Sequence, residues 1–366
     1  MNRQKNLSHY VFKRDETPAS LGFRMPAEWE GHEGTWLSWP KDPVTFPGKA
    51  REAVEGVFIK AVKALQMGEK VFILADNEDR ENYIRDILQT SGVSSNNIFF
   101  HKIKSVDVWI RDYGPTFVKN RQTNTVAVVK WKFNAWGGKY KAFMPDDRAG
   151  MEVARHSKVQ IFKPDIVMEG GAIESNGEGT ILTTEQCLLN KNRNPGLTKT
   201  QIEDYLKHYL GAHTIIWLKE GIEGDDTDGH VDDIARFVGK NRVLCALEND
   251  KRDKHNYQAL NHNYKLLQKA KTSQGEKLEI IKLPMPEPIL FPKRPFAGPR
   301  LPLSYANFYI GNTCIIIPVF GCKTDDKALS IMQGVFPDRE IVPVYSLPFV
   351  YGSGAIHCAT QQQPKS

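Results

Sequence analysis

Gly170-Gly171-Ala172-Ile173-Glu174-Ser175-Asn176-Gly177-Glu178-Gly179-Thr180-Ile181-Leu182-Thr183-Thr184 reads as two strands meeting across a turn. The strand-like runs 171–174 and 180–184 flank Asn176-Gly177, a dipeptide suited to the positive φ angles of tight hairpins. Downstream, Thr198 and Gln201 have capping-box spacing. Ile202, Tyr205, Leu206, Tyr209 and Leu210 then form one apolar stripe, and Gly211 stands where a C-terminal cap belongs. A strand at 214–218 follows, so the order is β-β-α-β.

The same order recurs along the chain. Residues 233–238 turn at Gly239-Lys240-Asn241 into 243–247. A helical stripe of Tyr257, Leu260, Tyr264 and Leu267 follows, then a strand at 278–283. Residues 307–310 turn at Gly311-Asn312 into 314–320, before a helix around 328–332 and a strand at 341–344. Two further regions, 36–75 and 113–162, read as degenerate copies. In the first, Val54, Val57, Phe58, Ala61 and Leu65 recur at helical spacing ahead of the strand 71–75. The period is about 60 residues, longer than that of most repeat families. One such unit cannot bury its own apolar face. Five around an axis can, with strands inside and helices outside. The expected fold is therefore α/β, with five pseudo-symmetric ββαβ modules closed about an axis; an ordinary mixed α/β domain is the alternative. Either forms a single domain over 21–366, preceded by a polar arm over 1–20. The Pro-rich stretch 283–302 lies inside the repeat series and is expected to be an ordered loop over a site.

The chain has 366 residues and a net charge of +6. No apolar run approaches the roughly 20 residues needed to span a bilayer, so no membrane association is expected. The N-terminal segment has no apolar core of a secretory signal. The five cysteines are scattered without a C-x-x-C pair. This argues against a disulfide framework or structural zinc and for a cytoplasmic setting. The basic residues are dispersed and no nucleic-acid-binding motif accompanies them, so no nucleic-acid partner is expected.

Four places depart from core-and-surface logic. Trp109-Ile110-Arg111-Asp112-Tyr113-Gly114-Pro115 is a strand-like run with adjacent opposite charges. Met168-Glu169-Gly170-Gly171 sets a carboxylate beside two glycines, a sign of close backbone approach. From Glu220 to Asp233 there are seven acids and neither Lys nor Arg. Such a local negative field suits a cationic ligand, and on a strand His230 and Asp232 would share one face. A calcium loop is the rival reading, but the later bidentate acid is out of register. Zinc would want a second His or Cys nearby. Finally, Gly352-Ser353-Gly354 approaches Cys358, a run able to turn sharply and present one side chain. Asp112, Glu169 and His230 fall about one repeat apart. Equivalent positions around an axis point to the same place, so these groups are expected to share one pocket that Cys358 closes.

At these residues the sequence resembles the agmatine deiminase family, within the guanidine-modifying superfamily that includes arginine and peptidylarginine deiminases. Met25-Pro26-Ala27-Glu28-Trp29-Glu30 through Thr35-Trp36-Leu37-Ser38-Trp39-Pro40 is similar to the family's opening motif. The motifs around Trp109, Glu169 and His230, and Ile356-His357-Cys358-Ala359-Thr360-Gln361-Gln362, follow in order. Gly352-Ser353-Gly354-Ala355 departs from a glycine run that often ends in Asn or Gly there. The resemblance implies a five-bladed propeller of ββαβ modules. It makes Cys358 the nucleophile, His230 the general acid/base and Glu169 the carboxylate near His230. Asp112 and Asp232 would grip the guanidinium, and Trp109 would line the pocket. It implies hydrolysis of agmatine to N-carbamoylputrescine and ammonia through an amidino-cysteine intermediate. It further implies no metal, no organic cofactor and a homo-oligomeric assembly. The runner-up is a deiminase of free or peptidyl arginine. Free arginine would need a basic partner for its α-carboxylate, whereas the acids around Asp225, Asp226 and Asp228 lean toward agmatine's amine. A polyamine-like cation-binding protein and a divalent-metal hydrolase are the readings from other classes.

Overall fold

The computed structural model describes residues 16–291, 296 and 298–366. The polar arm expected over 1–20 lies outside the described residues as far as residue 15. Of the rest, Thr17 is buried and Ala19–Leu21 forms a 3-10 turn. The Pro-rich stretch 283–302 likewise includes residues outside the description, 292–295 and 297.

After β1 (Phe23–Arg24), the chain runs β2 (His32–Ser38), α1 (Lys49–Leu65), β3 (Lys70–Ala75), α2 (Glu78–Thr90) and β4 (Ile98–Lys102). β2, β3 and β4 are parallel. The second set is β5 (Thr116–Asn120), β6 (Val126–Val129), α3 (Asp146–His156) and β7 (Gln160–Phe162), with β1 added antiparallel to β5. The third is β8 (Glu174–Ser175), β9 (Thr180–Thr184), α4 (Lys199–Leu210) and β10 (Thr214–Leu218). The fourth is β11 (Ala235–Phe237), β12 (Arg242–Leu247), α5 (Lys254–Lys269) and β13 (Glu279–Pro284). The fifth is β14 (Tyr309–Ile310), β15 (Cys314–Val319), α6 (Asp325–Val335) and β16 (Glu340–Tyr345). β17 (Thr360–Pro364) returns to pair antiparallel with β2. Among the described residues the result is a mixed α/β fold with five sheets of three or four strands. From the second set to the fifth, a hairpin pair is followed by a helix and a parallel third strand.

The first region differs from the expected unit. Its antiparallel strand comes from the far end of the chain, and α2 and β4 are additions. The 171–174 run is mostly a 3-10 turn (Gly170–Ala172), with only Glu174–Ser175 in the sheet. The helices follow their apolar stripes. α1 buries Val54, Val57, Phe58, Ala61, Val62 and Leu65, each larger side chain contributing roughly 1.5–3 kcal/mol. The capping box on α4 is present, and Gly211 closes the helix with φ at 65°.

Charged side chains tie the sheets together at the centre. Arg236 on β11 donates to Glu174 on β8 and to the carbonyls of Ala306 and Phe308 ahead of β14. Glu28 meets Arg236 at 2.9 Å and Arg111 at 3.4 Å, and accepts the Ile310 N–H of β14. All three side chains are buried. Charges out of water persist only when paired and hydrogen-bonded, so this knot fixes the relative placement of the elements that carry the site. Among the described residues, no helix is long and apolar enough to cross a membrane.

Candidate active site

Asp112 sits on a short helical turn, Ile110–Tyr113, rather than on the strand expected for 109–115. Gly114 ends the turn, where a Cβ would lie 2.3 Å from the Ile110 carbonyl oxygen. Asp112 Oδ1 accepts the Gly171 N–H at 3.1 Å, and Oδ2 accepts the Trp136 indole N–H at 2.9 Å. Trp136 holds φ at 54°, a left-handed conformation costly for a bulky residue. Asn134 supports that turn by accepting the Gly137 N–H.

His230 and Asp232 also leave the strand expected for them. His230 caps a 3-10 turn, Val231–Asp233, ahead of β11. The acidic run divides three ways. Asp225 accepts the Thr227, Gly229 and His230 N–H groups and so shapes the loop. Asp228 pairs with Lys139 and Arg193. Of these three acids, Asp226 lines the cavity, where its Oδ2 accepts from Tyr140 at 2.8 Å and Ser353 at 3.1 Å.

Glu169 is fully buried, with Oε1 accepting from Arg193 Nε at 2.7 Å. Glu169, Cys187 and His230 bring a carboxylate oxygen, a sulfur and a ring nitrogen within 4.8 Å of one another. These are donor types that zinc accepts, yet Arg193 already supplies a cation beside Glu169. Cys358 stands on a 3-10 turn, His357–Ala359. Its Sγ accepts from Asn307 Nδ2 at 3.1 Å and lies 3.8 Å from Asp232 Oδ2. Asn307 Oδ1 accepts the Cys358 N–H as well, so one amide clamps both ends of the residue.

These groups converge over bare backbone. A Cβ on Gly171 would lie 2.5 Å from His230 Nδ1, 2.9 Å from Asp112 Oδ1 and 3.0 Å from Asp232 Oδ2. His230 Nδ1 is itself 3.6 Å from Asp112 Oδ1. Among the described residues, Asp232 Oδ1 has no hydrogen-bond partner. Above this floor lies a narrow cavity walled by Trp109, Trp136, Tyr140, Phe143 and Phe296, with Asp112, Asp226 and Cys358 on its lining. Trp109 stacks on Phe349 with ring centroids 5.4 Å apart.

The electrostatics follow from burial among acids. Burial, with Asp232 and Glu169 nearby, raises the Asp112 carboxyl to about 6 against the pull of His230. Burial opposes the charge on His230, but Asp112, Cys187 and Asp232 outweigh it and lift the imidazole well above its usual range. Burial likewise works against ionised Asp232, yet His357, His230 and Arg236 hold its pKa below the ordinary value. The Cys358 thiol is pushed well up by burial, Asp232, Asp233 and Asp112. A cation placed among these acids would reverse that last effect and favour the thiolate.

Of the residues singled out from sequence, Asp112, Glu169, His230, Asp232 and Cys358 come together, and Trp109 walls the cavity. Asn307, Trp136, Arg193, Cys187 and Asp226's particular place escaped sequence reading. Only Trp136, standing before Gly137-Gly138, carried a local signal of strained backbone.

A family profile described as Porphyromonas-type peptidyl-arginine deiminase matches residues 24–364. The chain is 39% identical to the agmatine deiminase of Medicago truncatula, covering 96% of this chain and 98% of that one. It is 39% identical to the agmatine deiminase of Pseudomonas aeruginosa, covering 95% and 97%. The solved agmatine deiminase of Enterococcus faecalis superposes with a TM-score of 0.87 at 34% identity, over 96% of this chain and 98% of that one.

Proposed function

The chain belongs to the Porphyromonas-type peptidyl-arginine deiminase family, and from that premise we propose that it deiminates agmatine, with Cys358 as nucleophile. The convergence over Gly171 carries the reading. Asp112 and Asp232 offer charge-assisted acceptors beside a thiol, an arrangement that suits a flat cation with several N–H donors. Agmatine ends in an amine rather than a carboxylate. Asp226 on the cavity lining answers an amine, and among the described lining residues none is Arg or Lys.

The two carboxylates fix the plane of the guanidinium and aim its central carbon. Its positive charge offsets the acids that hold the Cys358 proton, that proton leaves to solvent as the substrate binds, and the thiolate attacks the guanidinium carbon. His230, protonated and beside Asp112, gives its proton to the departing nitrogen, and ammonia leaves. Glu169, tethered by Arg193, holds the charge on the far side of the imidazole. Water then attacks the amidino-thioether, with His230 as base. The C–S bond breaks, the thiol is restored and N-carbamoylputrescine departs. We read the five sheets as five blades about one axis and residues 21–366 as one catalytic domain. The central knot of Arg236, Glu28 and Glu174, which bridges successive sheets, supports that arrangement.

The test is ammonia release by purified protein from agmatine, free arginine and a blocked arginyl peptide, with products identified by mass. Agmatine is expected to give N-carbamoylputrescine at the highest kcat/KM. Preference for arginine or the peptide would move the substrate assignment, and silence on all three from folded protein would end the deiminase reading.

A further inference from the structure

The residue before the nucleophile is buried between two carboxylates. His357 Nδ1 lies 2.7 Å from Asp232 Oδ2, and Nε2 lies 2.8 Å from Glu28 Oε2. Carboxylates offer acceptor oxygens, so the imidazole is held between two acceptors. Glu28 is held in place, because its other oxygen accepts the Ile310 N–H and forms an ion pair with Arg236 Nη2 at 2.9 Å. The His357 backbone is pinned as well: its carbonyl accepts from Arg111 Nε at 3.2 Å, and its N–H donates to Asn307 Oδ1 at 3.0 Å. With Asp232 Oδ2 held in this way, Oδ1 is left buried without a hydrogen-bond partner among the described residues.

We propose that Glu28 and His357 are positioning residues: Glu28 fixes the His357 ring from the centre of the molecule, and His357 holds Asp232 so that its second oxygen is aimed at the substrate guanidinium beside Cys358. The inference rests on the deiminase reading for the identity of the guanidinium. Groups that orient a ligand from behind govern its geometry as strongly as its own contacts do. Without the brace, Asp232 can swing about its terminal torsion, and the buried carboxylate loses the ring contact at 2.7 Å.

Two near-isosteres separate this role from plain packing. Asn at 357 retains a donor near the Nδ1 position, facing Asp232, whereas Gln retains one near Nε2, facing Glu28. Both variants are expected to fold with similar Tm. The kcat/KM of His357→Gln on agmatine should lie about 10- to 150-fold below that of His357→Asn, the worth of one hydrogen bond to a charged group. A second readout needs no turnover: alkylation of Cys358 by cationic 2-chloroacetamidine relative to neutral iodoacetamide. That ratio should hold in His357→Asn and fall in His357→Gln. Equal activities and ratios in the two variants, or a more active Gln variant, would overturn the brace. Where His357→Gln yields no folded protein, His357→Asn decides, and a loss beyond about 150-fold overturns it. Failure of wild-type protein to act on agmatine would count against the substrate reading alone, because the alkylation ratio still tests the brace.

Discussion

At the scale of single residues, the site is a set of acids waiting for a cation. Asp112 must be ionised to hold a guanidinium, and its carboxyl is raised to about 6 by burial. Above that value it is charged and below it neutral. The profile of kcat/KM against pH is therefore expected to fall on the acid side near 6, far above the range of an ordinary aspartate. On the alkaline side, activity declines only once the raised imidazole of His230 gives up its proton. An acid limb near pH 4 would contradict the assignment of Asp112. In the proposed complex Asp226, on the cavity lining, takes the amine at the other end of agmatine. Asp226→Asn should raise KM for agmatine about tenfold or more, yet leave n-butylguanidine, which has no amine, nearly unchanged. Equal effects on the two compounds would remove Asp226 from amine recognition. The residues proposed to react were legible in the chain because they stood in odd company: acids without bases, glycines beside a carboxylate, a cysteine after a glycine-rich run. Their supports were not. Asn307 and Arg193 act through the tertiary structure, across 51 positions to Cys358 and 24 to Glu169, and nothing local marks them.

At the scale of elements, helix α3 shows how structure behind the site sets it. Gly150 lies against the turn that carries Asp112, and a Cβ there would sit 1.8 Å from the Tyr113 carbonyl oxygen. Gly150→Ala must push α3 and that turn apart. The expected cost is about 1–3 kcal/mol or more of stability, read by thermal melting, together with a fall in kcat. A variant with wild-type Tm and rate would show that the contact is slack. The long amphipathic helices were readable, because stripes such as Ile202, Leu206 and Leu210 bury where the 3.6-residue period puts them. The short segments that carry the candidate site were not. Residues 109–113 and 230–233 look extended by composition but curl into helical turns. There the hydrogen bonds of Asp225 and the needs of the cavity override local preference.

At the scale of the whole molecule, the recurring β-β-α-β order was visible from Asn176-Gly177 onward. The sharing of the first sheet between both chain ends was not, since β17 reaches β2 across more than 300 residues of sequence. The centre depends on Arg236, which meets Glu174 and Glu28 without any exposure to solvent. Arg236→Met leaves two buried carboxylates short of a partner and is expected to cost about 3–5 kcal/mol, measured by denaturant unfolding. A loss under about 1 kcal/mol would mean that the knot is not what ties the sheets together. All of this scaffolding serves one claim, that Cys358 attacks the guanidinium carbon of agmatine. The most direct measurement is mass analysis of protein acid-quenched during turnover. A peptide containing Cys358 is expected to be heavier by the mass of agmatine less ammonia, with no such adduct in Cys358→Ser and none on Cys187. Steady turnover by Cys358→Ser, or an adduct on Cys187 instead, would contradict it.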